Sequence, residues 1–86
     1  MEINGIAHTM LTAGDFAASS AFYRELLPFL GLNPVLDSDD TLYCVGGKTA
    51  FGIRAGDQAA DGNRFDQSHC GLHHICFRMR ERDDVD

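Results

Sequence analysis

The 86-residue chain, 44% apolar and 23% charged, has the composition of a folded body and not of a disordered or fibrous polypeptide, yet chains this short bury only about 60% of the surface they expose when unfolded. Thirteen acidic against seven basic residues give a formal charge of -6, a field that repels phosphate backbones and anionic lipid, so no nucleic acid and no membrane is expected as a partner. The N-terminus MEINGIAHTM lacks the basic start and apolar stretch of a secretory signal, no run approaches the roughly 18 apolar residues of a membrane span, and three cysteines without a CxxC pair (Cys44, Cys70, Cys76) read as reduced packing residues, so a cytoplasmic protein is expected.

The first element lies over residues 3 to 12, INGIAHTMLT, where β-compatible residues alternate. Ile6, His8, Met10 and Thr12 point one way and Ala7, Thr9 and Leu11 the other. Gly14 and Asp15 break the pattern, and the Asp15 carboxylate is suited to cap a helix beginning near Phe16. Ser19, Phe22, Tyr23, Leu26, Leu27 and Leu30 recur at three-and-four spacing, which lays one apolar stripe along that helix, a stripe that should cover a sheet and form core. Pro28 should bend or tighten the last turn, and Gly31 offers a left-handed exit after Leu30.

Three short extended runs follow, PVLDS near 34 to 38, TLYCVG near 41 to 46 and TAFGIRA near 49 to 55. The two-residue breaks Asp39-Asp40 and Gly46-Gly47 between them are hairpin signals and predict an antiparallel meander. Residues 1–55 thus form one βαβββ module. Residues 56–71, polar and rich in Gly and Asp, read as a loop between modules. Residues 72–86 then open with LHHICFRMR as a new strand, and ERDDVD places acid where a helix would start, so the chain is expected to stop as a second module begins.

Gly5-Ile6-Ala7-His8 and Gly71-Leu72-His73-His74 line up 66 residues apart (74 minus 8), each His two positions into a leading strand. By the period of two, His73 should face away from His74 and be a packing or surface residue. A compact metal site made of His69, Cys70, His73 and His74 is disfavoured, because neighbours in an extended strand diverge. Asp39-Asp40 and Asp83-Asp84 diverge likewise and read as solvated turn and helix-start residues, with no case for two-carboxylate catalysis.

The string IAHTMLTAGDFAASSAFYRELLPFLG resembles the opening of vicinal-oxygen-chelate proteins, the glyoxalase, bleomycin-resistance and dioxygenase superfamily, and GLHHICFRM resembles the strand that opens their second module. The resemblance covers essentially the whole chain and implies an α+β fold: one βαβββ module plus the first strand of a second, truncated one. In such proteins two modules form a cupped sheet holding a divalent metal that chelates two adjacent oxygens of a small molecule. Carried over, the resemblance implies His8 and His74 as metal ligands, for Zn, Mn, Fe, Co or Ni, on equivalent strands. Without family support the two would read as half-buried histidines satisfied by backbone or water. The glyoxalase I pattern places a glutamate ligand in the last strand of module one, where this sequence has Gly52. A His, His and later Glu set looks more like fosfomycin-inactivating transferases, with the glutamate beyond Asp86.

Two functions follow from the resemblance. One is a metal-dependent enzyme, a lyase, transferase or dioxygenase acting on a small oxygen-rich substrate. The other is a bleomycin-resistance-type module that sequesters a drug-like ligand without chemistry. A truncated product with no function of its own is the bland third. One module leaves an open sheet edge and an uncovered face, so a homodimer is expected, with elements exchanged between protomers as one way to close it, or else a chain that continues past Asp86.

Overall fold

The computed structural model describes residues 1–57 and 66–84. Its elements run β1 (His8–Ala13), α1 (Phe16–Phe29), β2 (Asn33–Asp37), β3 (Thr41–Gly46) and β4 (Thr49–Ala55), a single βαβββ unit. The four strands form one mixed sheet in the order β1-β4-β3-β2. Neighbours β2, β3 and β4 pair antiparallel, whereas β4 returns parallel to β1, a pairing that requires the crossover which α1 supplies.

β1 begins at His8 and not at residue 3, because its partner sets its length. β4 starts at Thr49, with His8 in register with Ala50, so residues before Ala7 have no strand beside them. Ala7 still accepts a hydrogen bond from Ala50 N–H at 3.0 Å, while Ile3 and Ile6 remain exposed.

The helix is fixed at both ends by its own sequence. Asp15 accepts from the Ala18 N–H at 3.1 Å, satisfying one of the orphan donors of the first turn. At the other end the Leu32 N–H reaches the Leu27 carbonyl at 2.9 Å and the Gly31 N–H reaches Pro28 at 3.0 Å, the pair of bonds that defines a Schellman ending. Gly31 makes it possible at a φ of 92°. Pro28 tightens the last turn, as expected, and the helix continues through it to Phe29.

The helix face on the sheet is Phe16, Ser20, Tyr23, Leu27 and Leu30: Tyr23, Leu27 and Leu30 lie where the spacing put them, Ser20 takes the place of Ser19, and Phe22 and Leu26 are not among the residues packed on the core. Ser20 is buried, its hydroxyl donating to the Ala17 carbonyl at 3.2 Å, and Phe22 points outward, 60% exposed. Leu27, Leu32, Leu42, Cys44, Phe51 and Ile53 make the buried cluster between helix and sheet. Arg24 of α1 ties the helix to the β2 edge by two hydrogen bonds of 2.9 Å to the Asp37 carboxylate.

The β3–β4 hairpin turns on Gly47 and Lys48, both at positive φ (57° and 65°), the combination of a type I′ turn. The break expected at Gly46-Gly47 therefore moves one residue on. Gly46 stays in β3 and touches the helix exit so closely that an added Cβ would collide with the Gly31 carbonyl oxygen.

Among residues 66–84 no strand forms. The run 72–79, expected as the leading strand of a second module, is irregular and pairs with neither of the two edge strands, β1 and β2. Phe77 instead packs edge-on against Phe51, ring centroids 5.6 Å apart. Where a second helix was expected to start, a 3-10 turn spans Arg82–Asp84. Of the expected inter-module loop, residues 58–65 lie outside the described residues.

Candidate functional site

Strand alternation divides the sheet into two faces. Thr9, Leu11 and Ala13 of β1 are half-buried on the helix side, with Phe51 and Ile53 of β4 and Leu42 and Cys44 of β3 in the core. The opposite face is open, and register sorts its residues into rows across β1, β4 and β3. His8, Ala50 and Val45 form the first row, Met10, Gly52 and Tyr43 the second, and Thr12, Arg54 and Thr41 the third. From β2, Asn33 extends the first row and Leu36 the second, with a bulge between Pro34 and Leu36.

The middle strand carries the two smallest side chains of the face, so the flanking side chains rise above it. Gly52 is closely walled: a Cβ there would stand 2.7 Å from Met10 Sδ, 2.8 Å from Tyr43 Cδ2 and 2.9 Å from the Leu42 carbonyl oxygen. His8 and Tyr43 meet diagonally over this strand, ring centroids 6.5 Å apart and planes at 68°. His8 is exposed on the face. Met10 and Val45 are about two-fifths exposed, so this is apolar surface without cover.

His74 lies elsewhere. Its Nδ1 is 2.7 Å from Nδ1 of His73, the rings 5.0 Å apart and nearly perpendicular, an arrangement in which one neutral ring donates N–H to the other. The expected opposition of these two residues is overturned, because alternation holds only in a strand and residues 72–79 are not one. His69 approaches Asp66 at 3.6 Å. No hydrogen bond or ring contact joins His8 to His74. Among the described residues no three His, Cys, Asp or Glu side chains gather as a metal-binding group.

Among the described residues the donor set therefore falls short of the three protein ligands that a catalytic zinc site takes. β4 contributes none, since Ala50 and Gly52 have no donor side chain and Arg54 is cationic. Tyr43 and Arg54 are the face residues that sequence reading left unassigned. Alternation in TAFGIRA already places Arg54 with Gly52, but which side chains flank them depends on strand order, and that is set by the crossover.

Two carboxyl groups are held below the usual range by their neighbours. The Arg24 hydrogen bonds lower Asp37, and the backbone N–H and hydroxyl of Ser68, at 2.9 and 2.7 Å, lower Asp66. Burial pushes the Cys44 thiol up, with the Asp37 charge adding to it. Cys70 and Cys76 are exposed.

A helix-backed βαβββ sheet whose uncovered face begins with a histidine on its leading strand defines a module of the vicinal-oxygen-chelate type. The family model of the Glyoxalase/Bleomycin resistance protein/Dioxygenase superfamily matches residues 5–86, and the chain belongs to that superfamily. No curated protein and no solved structure matches it significantly. Among the described residues no helix is long and apolar enough to cross a membrane.

Proposed function

We propose that the open sheet face binds a small oxygen-rich molecule, with His8 holding a divalent metal and His74 of a second copy, or an equivalent strand of a second module, completing the ligand set. The observation that carries this reading is the position of His8, exposed on the uncovered face beside Tyr43 over a strand of small residues. A metal bound there would supply Lewis-acid polarisation of two adjacent oxygens, the chemistry shared by isomerisation, group transfer and ring opening. Pairing answers two needs at once: it covers Met10, Val45 and Leu36, and it brings a second set of donors to a site that the described residues leave incomplete.

A second reading, sequestration of a drug-like ligand between paired chains without chemistry, is favoured by Gly52, a residue without a donor side chain at the position where the glyoxalase I resemblance would place a glutamate ligand. Metal analysis and ligand binding in chelator separate the two. The enzyme reading predicts stoichiometric metal in the purified protein and its loss in His8→Ala. Unaltered ligand binding after complete removal of metal supports sequestration instead.

A further inference from the structure

Among the paired strand residues of the open face there is one formally charged side chain, Arg54. It is exposed, it lies in register between Thr12 and Thr41, and among the described residues its side chain has no ion pair or hydrogen bond. The nearest acidic residue in the chain next to this row, Asp40, is engaged: its carboxylate accepts from Ser38 at 3.0 Å and from Thr41 at 3.2 Å. In a chain of charge -6, a cation flanked by two hydroxyl-bearing side chains on an otherwise uncharged face is complementary to an anionic group from outside the protein.

Resting on the ligand-binding reading above, we propose that Arg54 is a specificity-determining residue, and that the small molecule bound on this face carries a carboxylate or phosphate at the end remote from its paired oxygens. Ala50 and Arg54 are four residues apart on β4, so the His8 row and the Arg54 row are separated by about 13 Å along the strand. An arginine side chain leaning inward shortens that span to the length of a small planar body. Met10 and Tyr43 already close over Gly52, so such a body would rest on top of these two side chains and not between them. The guanidinium offers two parallel N–H donors to a carboxylate, and Thr12 places a hydroxyl-bearing side chain beside it, whereas the Thr41 hydroxyl is already given to Asp40.

The probe is 3,4-dihydroxycinnamate, which has vicinal oxygens at one end and a carboxylate at the other, compared with its uncharged methyl ester. Affinities are measured by calorimetry on the full chain, once with zinc and once in EDTA. The acid is expected to bind about tenfold tighter than the ester in both conditions, the equivalent of about 1.4 kcal/mol. The ratio should fall to about one in Arg54→Gln and persist in Lys48→Gln, a control for net charge on the distant hairpin turn, with circular dichroism confirming that both variants fold. Equal affinity for acid and ester, or a preference that survives Arg54→Gln, overturns the inference. Zinc that strengthens neither ligand counts instead against the metal reading, and a charge preference in EDTA would still support Arg54. Absence of binding by either ligand in both conditions overturns both.

Discussion

Gly52 lies so close beneath Tyr43 that a methyl group in place of its hydrogen would stand 2.8 Å from the ring carbon Cδ2. A side chain at this position meets a wall made of Tyr43, Met10 and the backbone carbonyl of Leu42. Gly52→Ala is expected to destabilise the fold by about 1–3 kcal/mol, the range for overpacking a fitted site. Met10→Ala should relieve only part of that, because the tyrosine and carbonyl contacts remain. Urea denaturation of the single and double variants checks this, and full rescue by Met10→Ala would show that the methionine alone is the obstacle.

Leu27 joins packing to chain direction, since it is fully buried in the core and its carbonyl takes the Leu32 N–H at the helix exit. Leu27→Ala leaves the backbone bond available but opens a cavity between α1 and the sheet. A loss of about 2–5 kcal/mol is expected in the same denaturation measurement. A loss below about 1 kcal/mol would mean that the helix does not rest on this contact.

Asp37 titrates lower in the folded protein than in the unfolded chain, because the Arg24 guanidinium hydrogen-bonds its ionised form. For a carboxyl of lowered pKa, the stabilisation is fully present above the unfolded value, about 3.9, and is lost as pH falls through the folded value. Asp37→Asn should therefore flatten the acid limb of the stability curve and leave its alkaline limb unchanged. Both partners are about two-fifths exposed, so the effect should be small and shrink with added salt.

Cys44 is fully buried and its thiol is pushed up by burial, whereas Cys70 and Cys76 are exposed. Since the thiolate is the reactive form, two thiols should react quickly with an aromatic disulfide at neutral pH and the third only on unfolding. Mass spectrometry assigns them. Early modification of Cys44 would show that the core opens on the timescale of labelling.

Much of the fold was legible because its signals are local. Asp15 caps the helix, Gly31 ends it, and TLYCVG and TAFGIRA are the antiparallel strands that their turn signals predict. Errors arose where a neighbour decides. The start of β1 is set by β4, which sequence spacing alone does not reveal. Ser20 replaces Ser19 on the buried face and Phe22 turns outward, because a stripe read from residue types accepts a large apolar side chain that the actual docking angle excludes. Residues 72–79 have the alternation of a strand but join neither edge of the sheet, and with that the expected separation of His73 from His74 is lost. On the open face, His8 was singled out through the family likeness, whereas the placing of Tyr43 and Arg54 beside it required the strand order.

The proposal that His8 and His74 bind one metal is tested most directly by following the imidazole nitrogens of 15N-labelled protein through a zinc titration. Shared ligation predicts that the His8 and His74 resonances shift together and saturate at the same zinc equivalents, and that His8→Ala abolishes the change at His74. If His74 responds to zinc with His73 while His8 stays unmoved at every concentration, the two residues do not share an ion and the site does not exist.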